Sequence, residues 1–227
     1  MRTLLPFFLL AGSLHAADWP QFRGPTADGV TPDSHLPLTW SEKENLVWRT
    51  ELPGPGSSSP IISGDKVFLT SYSGYGIDVK DPGDMAKLKR HAICLDKKTG
   101  KILWNHEITT DLPNKPYTGT YITTHGYASS SPVTDGNAVF FFMANAGVYA
   151  YTVNGKAIWN VSVGEMAHDW GRRFVAHSLR RIAHCECRAR KQSTARSRSQ
   201  ERQDSVERHR LSRFLEHAHR REGGWTR

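Results

Sequence analysis

The chain has 227 residues, of which 38% are hydrophobic and 23% are charged, and its formal net charge is +8. This composition excludes a fully disordered chain, a collagen and a membrane protein with several spans. A charge of +8 would suggest a nucleic-acid partner if it belonged to the folded part. Residues 1–170 hold 14 Lys and Arg against 16 Asp and Glu, however, whereas residues 171–227 hold 16 against 6 and so carry +10.

The first 17 residues have the layout of a secretory signal peptide. A basic start precedes an apolar run over residues 4–12, and the small residues Ala16 and Ala17 precede the polar Asp18. This order is typical of a cleaved export signal, and the run is too short for a membrane span, which needs ~20 apolar residues. We therefore predict that residues 1–17 are removed, that the mature chain is exported to the periplasm or beyond, and that it has no transmembrane segment.

The three cysteines predict neither a disulfide framework nor a metal site. Cys94 stands alone in an apolar run, and we expect it to be a small core residue. Cys185 and Cys187 are separated by one residue in the basic tail. Zinc sites favour a wider C-x₂₋₄-C spacing with a second pair of ligands.

The middle of the chain contains two copies of one repeat. A Ser-Ser-Ser-Pro string at residues 57–60 recurs at residues 129–132, and each copy continues through a turn into runs rich in β-branched and aromatic residues. Turn residues separate these runs, which predicts four short strands in each copy.

Each copy ends with a Gly-Lys turn and a strand that carries a tryptophan. The first copy has Gly100 and Trp104, the second has Gly155 and Trp159, and Trp48 ends a partial copy before them. One four-stranded unit cannot bury both of its faces alone, which implies that the units stack. We expect Trp104 and Trp159 to wedge between neighbouring sheets, because a large aromatic ring fills such an interface.

The final hairpins of the two copies predict different turns. The loop from Asp96 to Gly100 suits a type I turn followed by a left-handed glycine, whereas Asn154-Gly155 suits a two-residue type I′ turn.

The first copy contains an insertion. It runs 44 residues from Pro60 to Trp104, against 27 from Pro132 to Trp159, and most of the difference lies in a polar stretch over residues 74–90. We expect a solvated loop between the second and third strands; a binding loop is the alternative.

These strings resemble a known family. Residues 95–104, L-D-K-K-T-G-K-I-L-W, resemble the repeat of the pyrroloquinoline-quinone (PQQ)-type β-propellers, which include quinoprotein alcohol dehydrogenases and the propeller lipoprotein of the bacterial outer-membrane assembly machinery. Residues 18–25, D-W-P-Q-F-R-G-P, resemble the start of PQQ-like repeat proteins of planctomycete-type bacteria. The resemblance covers residues 18–170 and implies an all-β, incomplete propeller of about three four-stranded blades. The residues of its repeat signature are Trp48, Asp96, Gly100, Trp104, Gly155 and Trp159.

The resemblance does not imply a bound cofactor. Quinoprotein dehydrogenases use a catalytic Asp, a Ca²⁺ ion held by Glu and Asn, and usually a disulfide between adjacent cysteines, but this chain has no adjacent pair. Asp96 matches a turn residue of the repeat and not the catalytic one. We therefore predict no catalytic, cofactor or metal residues, with PQQ and Ca²⁺ only under an alternative as a quinoprotein oxidoreductase. We expect His125 and His168 to be surface residues that form hydrogen bonds.

The repeat pattern breaks off after Gly171, and residues 171–227 hold 15 Arg but one Lys. An Arg-Ser segment at residues 195–200 would bind nucleic acid by charge, and residues 206–215 could form a basic amphipathic helix for an acidic surface or a membrane. A frameshift is the third interpretation. With ordinary codons chosen for residues 195–226, the next reading frame can give another L-D…G-K-x-x-W string, which favours a tail that is out of frame or disordered.

The prediction is an exported, non-catalytic PQQ-like propeller scaffold that binds a protein or small ligand through its loops. In this form it would be a non-functional fragment with exposed sheet edges. The alternatives are a quinoprotein oxidoreductase and a polyanion-binding protein that acts through the basic tail. The charge of −2 over residues 1–170 gives no reason to expect a nucleic-acid partner.

Overall fold

The computed structural model describes residues 18–34 and 36–162. The predicted signal peptide and the basic tail, with His168, Cys185 and Cys187, lie outside the described residues. Within them, strands dominate and form two antiparallel sheets of four strands each, accompanied by one short α-helix and by two 3₁₀-helices at Met85–Lys87 and Ala144–Ala146. This arrangement confirms the all-β class.

Each copy of the repeat builds one sheet, in which the strands are neighbours in chain order. The first sheet holds β1 (Ile61–Ser63), β2 (Lys66–Ser73), β3 (Lys89–Asp96) and β4 (Ile102–Ile108). The second holds β5 (Val133–Thr134), β6 (Ala138–Phe142), β7 (Val148–Thr152) and β8 (Ala157–Val161). Helix α1 (Gly119–His125) lies in the connection between the sheets. The four strands predicted for each copy are thereby confirmed.

Both faces of the central strands are buried, which explains their nearly continuous apolar sequences. Since side chains alternate between the two faces of a strand, Phe68 of β2 packs towards the second sheet, whereas Val67 and Leu69 pack on the opposite face with Trp48. In β6, Val139 and Phe141 face the first sheet, and Phe140 lies in a separate cluster with Trp159. Cys94 is fully buried between the sheets, as predicted, and burial raises the pKa of its thiol to about 12.

The segment at residues 18–20 ties the two sheets together. Trp19 exchanges two backbone hydrogen bonds with Ile62 of β1, of 2.9 and 2.8 Å, and the carbonyl of Pro20 accepts the Thr134 N–H of β5 at 2.9 Å. The Asp18 carboxylate accepts the Gly64 N–H at 2.8 Å. The opening string therefore pairs with the first strand of both sheets.

One local prediction, which concerns a turn, is wrong, and a second holds only in part. The Asn154-Gly155 turn is not type I′, because only Gly155 of the pair has a positive φ, +87°. The Gly155 N–H binds the Thr152 carbonyl at 2.9 Å, so Val153 and Asn154 occupy the turn and Gly155 follows it in the left-handed region. A β-bulge between Ala150 and Tyr151 accommodates the extra residue.

The second concerns the insertion, which is a loop between β2 and β3 with mostly exposed residues, as predicted, but is not solvated throughout. The connection between β2 and β3 spans residues 74–88, and Tyr75 and Leu88 are buried in it. Arg90, at the end of the stretch predicted to be solvated, is a buried residue of β3. Tyr75 and Leu88 are buried because they pack against the connection that follows β4.

None of the helices in the described part of the chain is long and apolar enough to cross a membrane.

Candidate functional site

The tryptophans at the ends of repeats dock onto the next hairpin. The Trp48 Nε1–H donates to the Lys97 carbonyl at 2.8 Å, and the Trp104 Nε1–H donates to the Val153 carbonyl at 3.2 Å. The two acceptors lie at corresponding places in the β3–β4 and β7–β8 hairpins. Trp104 also packs against Phe141, at 6.0 Å between ring centroids. Each tryptophan therefore joins its own repeat to the one that follows.

The residue two places after each tryptophan makes a second bond to the same hairpin. Thr50 Oγ1 donates to the Gly100 carbonyl at 2.6 Å, and His106 Nε2 lies 2.8 Å from the Gly155 carbonyl. The His106 ring also stacks on Tyr151 at 4.3 Å. Tryptophan and its polar neighbour thus form a two-point contact, which we call the tryptophan lock.

Glycine is required at the centre of each lock. Gly100 has a φ of +72°, and a Cβ there would lie 2.5 Å from the Trp48 ring. Gly155 has a φ of +87°, and its Cβ would lie 2.7 Å from Trp104. The left-handed conformation and the close approach of the indole ring therefore both exclude a side chain.

Asp96 shapes the first hairpin from within. Its Oδ1 accepts hydrogen bonds from the Thr99 hydroxyl and the Thr99 N–H, both at 2.8 Å, and from the Lys98 N–H at 3.0 Å. These bonds, the Thr99 hydroxyl first, hold the pKa of the Asp96 carboxyl below its usual value. Asp96 is thus a turn residue in this structure.

Trp159 differs from the other two tryptophans. It is buried against Phe140, at 6.0 Å between ring centroids, and its Nε1–H has no hydrogen-bond partner among the described residues. Within residues 18–34 and 36–162 it therefore makes no lock.

The opposite end of the first sheet gathers two long connections, residues 74–88 and 109–132, and we call this the loop end. A cluster of tyrosines joins them: Tyr127 packs on Tyr72 at 5.4 Å and on Tyr75 at 5.8 Å between centroids. Tyr117 packs on both Tyr75 and Tyr127. Burial raises the pKa of the Tyr72 and Tyr127 phenols above its ordinary value, so both stay neutral at physiological pH.

The tyrosine hydroxyls order the backbone of these connections. Tyr72 OH donates to the Gly76 carbonyl at 2.9 Å, and Tyr127 OH donates to the Lys115 carbonyl at 2.8 Å. Tyr75 OH accepts the Tyr117 N–H at 3.0 Å. The base of the loop end is therefore fixed by buried side chains.

The tip of the insertion is exposed and partly apolar. Ile77 and Val79 are 52% and 63% exposed. Both lie between Gly76 and Pro82, whose N–H and carbonyl form the hydrogen bond that closes the tip. Scattered exposed apolar residues are ordinary on a protein surface. Two of them on one fixed tip make a small apolar contact surface.

Arg90 lies under the loop end. It is 2% exposed; its Nε donates to the Tyr127 carbonyl at 3.2 Å and its Nη2 to Asn114 Oδ1 at 2.7 Å. Its guanidinium carbon also lies 5.8 Å from the Tyr127 ring centroid. Burial lowers the pKa of Arg90 to about 10, which leaves it protonated at neutral pH.

A polar chain connects three strands of the first sheet. The two ring nitrogens of the buried His91 contact Ser73 Oγ at 2.8 Å and Asn105 Oδ1 at 3.1 Å. Ser73, His91 and Asn105 stand on β2, β3 and β4 in turn. The chain satisfies both nitrogens, which a buried imidazole requires.

His125 lies in the last turn of α1 and is half-buried, and its backbone carbonyl accepts the Ser57 hydroxyl at 3.1 Å. His125 therefore lies within the loop end but outside the Arg90 contacts.

Residues 38–173 match the family described as outer membrane protein assembly factor BamB. The match spans more than half of the chain. The chain belongs to this family of PQQ-like repeat propellers. No curated protein matches the chain. The matched region begins ahead of Trp48 and includes both sheets, so the tryptophan locks are features of this propeller chain inside its family region.

Three acidic side chains of the loop end cap the backbone of the insertion. Asp78, Asp81 and Asp84 each accept, through Oδ1, the backbone N–H two residues further on. Residues 18–34 and 36–162 contain no group of three or more His, Cys, Asp or Glu that could hold a metal ion.

The sequence patterns did not mark Arg90, Asn114 and Asn145. Arg90 opens the string R-H-A-I-C-L, and an arginine inside an apolar strand is the one signal that could have pointed to it. Its partner Asn114 is 24 residues away, in an irregular segment. No local pattern connects the two.

Replacing Gly100 with alanine should lower the free energy of unfolding by about 2–4 kcal/mol, because the substitution adds left-handed strain to a clash with Trp48. Gly119 is a matched control, since its φ is +71° and a Cβ added there would meet nothing within 4 Å. Gly119→Ala should cost about 1–2 kcal/mol. Urea denaturation of both variants measures the difference; equal losses would contradict a role of Gly100 in docking Trp48.

Asp96→Asn should change how stability depends on pH. Because the folded pKa of Asp96 is lowered, its ionised form contributes stability above the unfolded pKa of ~3.9, and this is lost as the pH falls through the folded pKa. Wild type should therefore be more stable than Asp96→Asn at pH 7, and the difference should shrink in acid. Asp33→Asn is the control, because the Asp33 carboxylate has no hydrogen bond among the described residues. A difference between wild type and Asp96→Asn that does not vary with pH would refute this.

Proposed function

We propose that this propeller chain is an exported, non-catalytic scaffold that binds another protein through its loop end. The observation that carries the proposal is the exposed pair Ile77 and Val79 on a tip whose base is fixed by buried tyrosines. A fixed apolar tip loses little conformational freedom when it is covered, which favours protein binding.

The family description also supports protein binding. It names an outer-membrane protein assembly factor, and this name supports a role in binding other proteins. Export to the periplasm, where such a factor works, agrees with the signal-peptide layout of residues 1–17. The net charge of −2 over residues 1–170 supports a protein partner and not nucleic acid.

We also propose that no PQQ or Ca²⁺ takes part. The Oδ1 atoms of Asp78, Asp81 and Asp84 accept backbone hydrogen bonds, and the Tyr72 and Tyr127 hydroxyls donate to backbone carbonyls. These contacts organise the surface, which supports a structural role for these side chains.

The proposal also covers the number of blades and the origin of the basic tail. We propose that the folded region is part of a larger ring, of which about three blades are encoded up to residue 170, and that a frameshift produces residues 171–227. The family match ends at residue 173, near the point where the repeat stops. The gene sequence after codon 171 tests this: a shifted frame that continues the repeat supports it, and a frame without repeats overturns it.

A photo-crosslinking residue placed at Val79 should capture a discrete protein partner in the exporting bacterium. The same residue at Lys98, which is exposed in the β3–β4 hairpin at the opposite end of the sheet, is the control and should capture none. Ile77→Ser should weaken the Val79 crosslink, because it removes half of the apolar tip. The same species at both positions, or none at Val79, would overturn the proposal. Reduction of a dye by alcohols after addition of PQQ and Ca²⁺ would favour the oxidoreductase instead.

A further inference from the structure

Arg90 is a buried positive charge without an acidic partner. Only 2% of the residue is exposed, and neither Asp nor Glu forms an ion pair with it among the described residues. A buried charge normally requires a counter-charge, because its hydration is lost. The π-face of Tyr127 offsets part of that loss.

The guanidinium still has donors to offer. Two of its nitrogens are bonded to neutral oxygens, the Tyr127 carbonyl and Asn114 Oδ1, whereas Nη1 is buried with no hydrogen-bond partner in the described part of the chain. Nη1 and Nη2 together form the edge of the guanidinium that matches the two oxygens of a carboxylate. On this edge, Nη1 has no acceptor among the described residues, and Nη2 donates to the neutral side chain of Asn114.

A second unpartnered polar atom lies across the same segment. Asn145, between β6 and β7 of the second sheet, is 4% exposed and donates through Nδ2 to the Pro113 carbonyl. Its Oδ1 is buried and has no partner among residues 18–34 and 36–162. Pro113 and Asn114 are consecutive, so Asn145 from the second sheet and Arg90 from the first bind neighbouring residues of one segment.

We propose that Arg90 and Asn145 form a binding site for a small carboxylate that carries an N–H or O–H donor close to its acid group. The carboxylate would take Nη1 and Nη2 of Arg90 and displace the Asn114 side chain, and the donor would bind Asn145 Oδ1. The chemical class is an N-acylated amino acid or a hydroxy acid.

Residues 113–116, which cover the proposed site, can be displaced by a ligand. Residues 113–116 form no helix or strand, and Asn114 is half-buried at the edge of the loop end. The Asn114 side chain offers Arg90 one neutral oxygen, whereas a carboxylate brings a counter-charge and two oxygens that match the paired donors of the guanidinium. A carboxylate can therefore replace it with a net gain, inside a region where burial strengthens the attraction.

The first test uses the full chain and three simple probes. N-acetylglycine has both the carboxylate and an N–H, acetate has the carboxylate alone, and acetamide is neutral. Thermal unfolding at increasing probe concentration should show a saturable rise in Tm for N-acetylglycine, a smaller one for acetate and none for acetamide, because a ligand that binds only the folded state stabilises it. No saturable rise with either carboxylate, or an equal rise with acetamide, would overturn the proposal.

The second test changes the arginine. Arg90→Met should abolish the rise in Tm with N-acetylglycine while the chain still folds, since apolar replacement of a buried charge is often neutral or stabilising. Arg49→Met is the matched control, because Arg49 is exposed and pairs with Glu42 at 2.7 Å; it should respond like wild type. Retained binding in Arg90→Met would refute the assignment.

Two further variants separate the contacts and keep the test independent of folding defects. Asn114→Ala removes the competing acceptor and should bind N-acetylglycine about tenfold more tightly. Asn145→Leu should bind acetate like wild type but lose the preference for N-acetylglycine. Weaker binding in Asn114→Ala, or an unchanged preference in Asn145→Leu, would contradict the geometry. Failure of this site would leave the crosslinking result at Val79 unaffected, since the two sites share no residue.

Discussion

The structure depends on one repeated contact, in which an indole ring at the end of one repeat rests on a glycine in the hairpin of the next. Trp48 on Gly100 and Trp104 on Gly155 combine apolar packing, an indole N–H bond and a left-handed glycine in one place. Neither sheet could bury both of its faces without a neighbour, and the lock decides how closely that neighbour approaches. The buried layers on both sides of the first sheet follow from it.

The loop end is built on a different principle. Residues 74–88 and 109–132 contain no strands, so sheet pairing cannot satisfy their backbone groups, and tyrosine hydroxyls bond to some of them instead. The same tyrosines carry the rings that pack the two connections together. Rigidity at the base and exposure at the tip therefore come from the same side chains, which is how an irregular segment can present Ile77 and Val79 in a fixed place.

Much of the fold could be predicted from the sequence, because the same pattern of strands and turns occurs in two copies. The spacing of Trp48, Trp104 and Trp159 and the Ser-Ser-Ser-Pro strings determine two four-stranded units, and the structure has both. The predicted type I′ turn at Asn154-Gly155 is wrong because the local preference for that turn competes with a β-bulge in the preceding strand, which no dipeptide reveals.

The site could be predicted far less well. The polar composition of residues 74–90 indicates solvent, yet Tyr75 and Leu88 are buried by the connection that follows β4. Arg90 binds Asn114 and Asn145 binds Pro113 only because two sheets meet at this segment, so the two contacts belong to tertiary structure alone. The strands of the two sheets occur in both copies of the repeat and can be compared with each other. Residues 74–88 and 109–132 occur only once, so no second copy in the chain indicates their structure.

The lock also gives the array a direction. The tryptophan of each lock lies at the end of one repeat, and the hairpin that it contacts lies later in the sequence. During synthesis from the N-terminus, the indole is therefore made before the hairpin to which it bonds. The Nε1–H of Trp159 has no such partner among the described residues. Both locks among the described residues reach forward by a single unit, so the loss of the last repeat would remove one lock and leave the earlier lock intact.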